Sequence, residues 1–214
     1  MSKTEEQIAG TADREEMAVP EEERADRLDL YMIGVGGQGI NMLSEAMVRA
    51  CDYAGYHVRG VDTHGLAQRG GMVVSNLRLG EGVHSPLVQK GQADMVIALE
   101  RNEALRGMST HLKPGGELIY YDVSWQTLST RLDKEEDTDS EKLEEHGKKY
   151  DAEITRVYKD DLEDSRMQNV VLMGHLAAAE KIPGLRPEHY RQALRDLMRG
   201  SMLEANLELF DSLL

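Results

Sequence analysis

The amino-acid sequence predicts a three-layer α/β/α fold with a mostly parallel, twisted sheet and a helical C-terminal segment. Three observations carry that reading. An apolar run, Leu30-Tyr31-Met32-Ile33, ends in a glycine cluster and passes into helical spacing. Strand-like and helix-like runs then alternate as far as Tyr158, and beyond it the apolar period is helical. Strands separated by helices need crossover connections, which set the strands parallel and cover both faces of the sheet.

In order along the chain, the first strand is expected over residues 30–34. The turn Gly34-Val35-Gly36-Gly37-Gln38-Gly39 then leads into a helix over residues 40–54. Strand-like runs at residues 56–61 and 72–79 are joined by a link too short for a crossover helix, so the strand order must be irregular there. A strand over 95–99, a helix over 102–111 and strands over 117–122 and 154–158 complete the alternation. Asp164 or Ser165 caps the next helix, whose Met167, Val170, Val171, Gly174 and Ala178 fall on one face, with Pro183-Gly184 as its stop. Pro187 opens a helix over 188–199, and a last helix carries Met202, Leu203, Leu207 and Phe210.

Two charged stretches fall outside this alternation. Residues 1–27 are polar and acidic, with Glu21-Glu22-Glu23 after Pro20, and read as a mobile tail that lacks the apolar residues needed to offset ordering entropy. Residues 28–214 read as a single domain. An acidic insertion at about 131–150, including Glu135-Glu136-Asp137 and Glu144-Glu145, reads as a solvated helix or loop.

Composition excludes several classes of function. A net charge of -14 with 5% aromatic residues argues against nucleic acid, which needs a basic footprint or stacking platforms. No window approaches the roughly 18 apolar residues of a membrane span. The 40% hydrophobic content of the 214 residues is enough for one core. Cys51 is the only cysteine and no apolar leader is present, which points to a reducing cytoplasm. One thiolate cannot hold an iron–sulfur cluster, and the histidines show no metal-ligand spacing, so no metal site is expected on this chain.

Chemistry concentrates in two motifs. Gly34, Gly36 and Gly39 match the fingerprint of a strand, tight turn and helix start in which main-chain N–H groups face an anion, and Asp62 follows at the spacing of a ribose-binding acid. The second motif is His64-Gly65-Leu66-Ala67-Gln68-Arg69-Gly70-Gly71. Its Arg69 sets a guanidinium fork beside two residues without side chains, a layout suited to a carboxylate or phosphate. His64 is a proton-transfer group by type, but no carboxylate or nucleophile is fixed beside it by local spacing.

Gly34-Val35-Gly36-Gly37-Gln38-Gly39, the Gln68-Arg69-Gly70-Gly71 form of the second motif, His84-Ser85-Pro86-Leu87-Val88, and Ala93-Asp94-Met95-Val96-Ile97-Ala98-Leu99-Glu100 together resemble the gamma-type domain of 2-oxoacid:ferredoxin oxidoreductases. The branch resembled most is that of the indolepyruvate oxidoreductases. Similarity resumes at Asn169-Val170-Val171-Leu172-Met173-Gly174 and around Asn206. The resemblance implies an oxidoreductase subunit with no cofactor of its own. Its larger partner subunit would carry thiamine diphosphate, magnesium and iron–sulfur clusters, and ferredoxin would accept the electrons. It also implies that Gly34, Gly36, Gly37, Gln38, Gly39, His64, Gln68, Arg69, Gly70 and Gly71 face a 2-oxoacid, coenzyme A or the partner. The alternative is a stand-alone Rossmann-type protein holding a dinucleotide at Gly34 to Gly39 with Asp62 on the ribose. That alternative leaves Gln68 to Gly71 idle.

Overall fold

The computed structural model describes residues 14–64, 71–125 and 138–214. Within them one sheet is built from β1 (Arg27–Val35), β2 (Val58–His64), β3 (Met72–Gly80), β4 (Ala93–Ala98), β5 (Leu112–Tyr121) and β6 (Glu153–Val157), in the order β2-β3-β1-β4-β5-β6. β1, β4, β5 and β6 are mutually parallel, and β3 is antiparallel to both β2 and β1. The short link after β2 produces the irregularity expected from the sequence. It allows only a direct return, so β3 comes back beside β2 and inserts next to β1.

Six α-helices whose bounds lie within the described residues flank the sheet: α1 (Ile40–Tyr53), α2 (Arg101–His111), α3 (Ser140–Tyr150), α4 (Gln168–Ala178), α5 (Pro187–Leu197) and α6 (Gly200–Asp211). Successive residues of β1 point to opposite faces and so build two cores. Leu30 and Met32 join Leu43 and Met47 of α1, Val170 of α4, Leu194 of α5 and Phe210 of α6. Tyr31 and Ile33 join Ala104 and Met108 of α2 and Leu143 of α3. The three expected layers are therefore present, with the helical C-terminal segment added to the α1 side.

Local signals explain the helix starts. The Glu100 side chain caps α2 by accepting the N–H groups of Glu103 and Asn102, Asp139 caps α3 from Lys142, and Pro187 occupies the first position of α5. Asp164 accepts the Arg166 N–H and opens a short 3-10 turn, Ser165–Met167, ahead of α4. α4 departs from the one-face reading. It is enclosed between the sheet and the last two helices, so Leu172 and Met173 are buried along with Val170 and Val171, while Ala178, in its last turn, is exposed.

The amino-terminal expectation also needs correction for its described part. From Arg14 onward the chain lies against the domain. Val19 is only 4% exposed and its N–H donates to the Ala54 carbonyl. The Arg24 guanidinium donates to the Gly55 carbonyl, and His189 Nε2 donates to the Met17 carbonyl at 3.0 Å. One apolar anchor and a few main-chain bonds hold a segment whose composition suggested none. Of the acidic insertion, residues 138–150 are described and form α3, with Leu143 buried and the Thr138 N–H bonded to Asn102 Oδ1 at 2.9 Å.

Candidate functional site

The carboxyl ends of β1, β4, β5 and β6 and the start of β3 meet on one edge, the place where open α/β sheets bind ligands. The first glycine motif lies there. The Gly36 N–H donates to the Gly71 carbonyl at 2.8 Å, which brings the end of the second motif against the turn. His64, at the end of β2, stands opposite Val73. Gln68, Arg69 and Gly70 lie outside the described residues, as does the His64 side chain.

Each residue of the turn has a distinct task. Gly34 packs against β4, since a Cβ there would lie 3.1 Å from Leu99 Cβ. Gly37 and Gly39 have φ of 109° and 83°, left-handed values that a side chain strains. At Gly37 the space beyond is open, whereas a Cβ at Gly39 would fall 2.6 Å from Asn169 Nδ2. Gln38 behaves differently from the expectation. It is 1% exposed, its Oε1 accepts the Val35 N–H at 2.8 Å and its Nε2 donates to the Leu99 carbonyl at 3.1 Å. Both ends of the amide are bound to main chain, so Gln38 ties the turn to β4 instead of facing the opening.

Asn169, from the first turn of α4, completes the turn. Its Nδ2 donates to the carbonyls of Gln38 and Gly39 at 3.2 and 3.0 Å. With those carbonyls drawn inward, the N–H groups of Gly37, Gly39 and Ile40 bond to no acceptor among the described residues. They stand at the amino end of the 14-residue helix α1, where backbone donors and the helix dipole both favour an anion. Farther along the same edge, Asp122 receives the guanidinium groups of Arg101 and Arg156. Burial works against the Asp122 charge, yet the two guanidinium bonds hold its carboxyl below the usual aspartate range.

Asp62 does not take the ribose-binding position. Its Oδ1 accepts from Ser44 of α1 at 2.9 Å, and β3 separates its strand from β1. A dinucleotide unit needs the second strand directly beside the first; here it is displaced by one more strand spacing, about 4.8 Å. Asn169, Glu100 and Asp122 were missed as structural partners of this edge. The signal for Asn169 was an amide placed at the head of an otherwise apolar helical run.

Cys51 is enclosed in the core, and burial pushes its thiol well up, so it is no metal ligand or nucleophile. No helix among the described residues is long and apolar enough to cross a membrane.

The family model for pyruvate ferredoxin/flavodoxin oxidoreductase matches residues 29–212. The indolepyruvate oxidoreductase subunit IorB of Archaeoglobus fulgidus is 31% identical over 187 residues, covering 85% of this chain and 91% of that protein. The subunit of the same name from Pyrococcus horikoshii is 31% identical over 192 residues, covering 86% and 92%. Among solved structures, the pyruvate oxidoreductase subunit PORC of Thermotoga maritima superposes with a TM-score of 0.60 at 15% identity, covering 88% of this chain and 96% of that one, a likeness of fold. With the family match spanning nearly the whole described chain, this protein belongs to the pyruvate ferredoxin/flavodoxin oxidoreductase family.

Proposed function

We propose that the chain is the smaller subunit of a cytoplasmic 2-oxoacid:ferredoxin oxidoreductase acting on an arylpyruvate such as indolepyruvate. The reaction takes the 2-oxoacid and coenzyme A to the acyl-CoA and carbon dioxide, and two electrons pass to ferredoxin. The chain is inactive by itself. The larger subunit carries thiamine diphosphate, magnesium and the iron–sulfur clusters, and the thiamine supplies carbanion stabilisation there. The residues of this chain do not fit a cluster, because its one cysteine is buried in the core.

What this chain contributes is the anion-receptive edge. The observation that carries the reading is the glycine turn held against Gly71, with the N–H groups of Gly37, Gly39 and Ile40 left unbonded among the described residues. Arg69 follows two residues before Gly71 in sequence and supplies a permanent positive charge for a substrate carboxylate or a coenzyme A phosphate. Gly36, Gly37, Gly39 and Gly71 border that edge, and His64, Gln68 and Gly70 join the proposed ligand- or partner-facing set on their sequence motif alone.

The test is Arg69→Ala in the complex reconstituted with the thiamine-bearing subunit. It should assemble normally and lower kcat/KM for the 2-oxoacid by about tenfold, equivalent to about 1.4 kcal/mol. Normal assembly with normal turnover removes the site, and lost assembly assigns Arg69 to the subunit interface.

A further inference from the structure

Beside the glycine turn lies a second feature that the anion-receptive edge does not use. A cavity of about 370 Å³ starts at Gly39 and Met42 and continues over Met167, Met198, Met202 and Ala205. Another, of about 280 Å³, extends past Leu162, from the segment after β6, and Leu209. Met167 and Ala205 line both, so the two meet in one furrow along α6. Met202, Ala205, Leu209 and Ser212 recur at helical spacing on one face of α6 and make its floor, about 15 Å long at a rise of about 1.5 Å per residue. Met202 is 56% exposed, and Met42, Leu162, Met167 and Leu209 are half-buried. A strip of adaptable, polarizable methionine and leucine side chains is the surface on which an amphipathic helix lays its apolar face.

The charges on the wall select the occupant. Asp164 is committed to Arg166, which pairs with it beside the first cavity. The remaining charges are Asp161, Glu163 and Glu208 against Lys159, and none of the three acids has an ion-pair partner among the described residues. A second copy of a chain of net charge -14 would set like charge against this rim, and an anionic lipid surface would be repelled by it. A segment with Lys or Arg beside its apolar residues matches floor and rim together.

We propose that the furrow seats a basic amphipathic helix of the larger partner subunit, its apolar face on Met202, Ala205 and Leu209 and its cations toward Asp161, Glu163 and Glu208. This inference rests on the functional reading above, which supplies that partner. Because Gly39 lines one end of the furrow, a helix seated there reaches the anion-receptive turn and couples subunit assembly to it.

Binding of the full chain to the thiamine-bearing subunit, followed by surface plasmon resonance, tests the furrow. Ala205→Arg sets bulk and positive charge where the two cavities meet, and Met202→Lys does the same from an exposed position; both replacements suit a helix. Each should weaken assembly by at least about tenfold while the melting temperature of the free chain stays unchanged. Glu163→Gln combined with Glu208→Gln should slow association and flatten its salt dependence. Unchanged affinity in Met202→Lys and Ala205→Arg overturns the proposal. A free chain that sediments as a dimer, and that Met202→Lys splits, assigns the furrow to a second copy and also overturns it. Failure of the unaltered chain to bind the larger subunit at all is a different result, since it removes the functional reading itself and the occupant with it.

Discussion

At the amino end of the sheet, Asp29 is enclosed by Arg27 at 2.5 Å and Arg78 at 2.8 Å, and its N–H donates to Asp94, which also receives Lys113. At the carboxyl end of β1 the turn is arranged the other way, with its carbonyls bonded inward and three N–H groups facing no acceptor among the described residues. Both ends hold buried polar groups, but at the amino end the Asp29 cluster is matched within the chain, with Arg24 Nε an unpartnered exception among the described residues. The amino end is further closed by residues 14–26 and by the loop around Pro183, whose carbonyl accepts from Tyr56 at 2.7 Å. The ion-paired Asp29 cluster gives that end a structural role. The unmatched main-chain N–H groups of the turn are what supports the proposed site at the other.

The sharpest way to break this contrast is at Gly39. Gly39→Ala combines a left-handed backbone with a Cβ at 2.6 Å from Asn169 Nδ2, and either the amide moves or the turn does. Urea unfolding should show a loss of about 2–3 kcal/mol. Gly37→Ala has the backbone strain without the clash and should lose about 1 kcal/mol. Equal losses would show that Asn169 does not set the shape of the turn.

The amino end is tested by removing residues 1–26. Val19 then leaves the core and the bonds to Ala54, Gly55 and His189 are lost. A loss of about 2 kcal/mol is expected, read as a melting temperature lower by about 4–8 °C. An unchanged melting temperature would return this segment to the status of a tail.

What the sequence discloses here follows the range of the interactions. Strand β1, the turn, α1 and the start of α5 are set by neighbours a few residues apart, and their positions were legible from periodicity, glycine and proline. The irregular strand order was legible too, because the length of one link decides it. The docking of Met17 was not, since its partner His189 lies 172 residues away and composition reports polarity without partners. Asn169 reaches the turn across 130 residues for the same reason. Gln38 fails differently. Its residue type suits a ligand as well as a main-chain clamp, and only the direction of the side chain separates the two. The second motif retains its sequence-level reading, with Gln68, Arg69 and Gly70 outside the described residues.

The smallest expected effect concerns acid and the amino end. His189 Nδ1 accepts the Arg186 N–H at 2.8 Å while Nε2 donates to the Met17 carbonyl, so the neutral imidazole is the form that fits. Burial lowers its pKa, and the bond to Met17 only partly opposes this. In the unfolded chain the same group titrates near about 6.5. Below that pH the unfolded chain binds a proton that the folded chain refuses, so the stabilisation is complete above about 6.5 and declines as pH falls toward the folded value. Protonation also removes the acceptor at Nδ1 and loosens the contact that holds residues 14–19. Limited trypsin digestion between pH 8 and 5.5 should therefore show cleavage after Arg24 gaining on cleavage elsewhere as pH falls. His111 and His175 are also lowered by burial, so the comparison needs His189→Gln, in which that local pH dependence disappears while the global one remains. The same acid-dependent cleavage in His189→Gln would assign the loosening to another group and leave the closure of the amino end independent of this histidine.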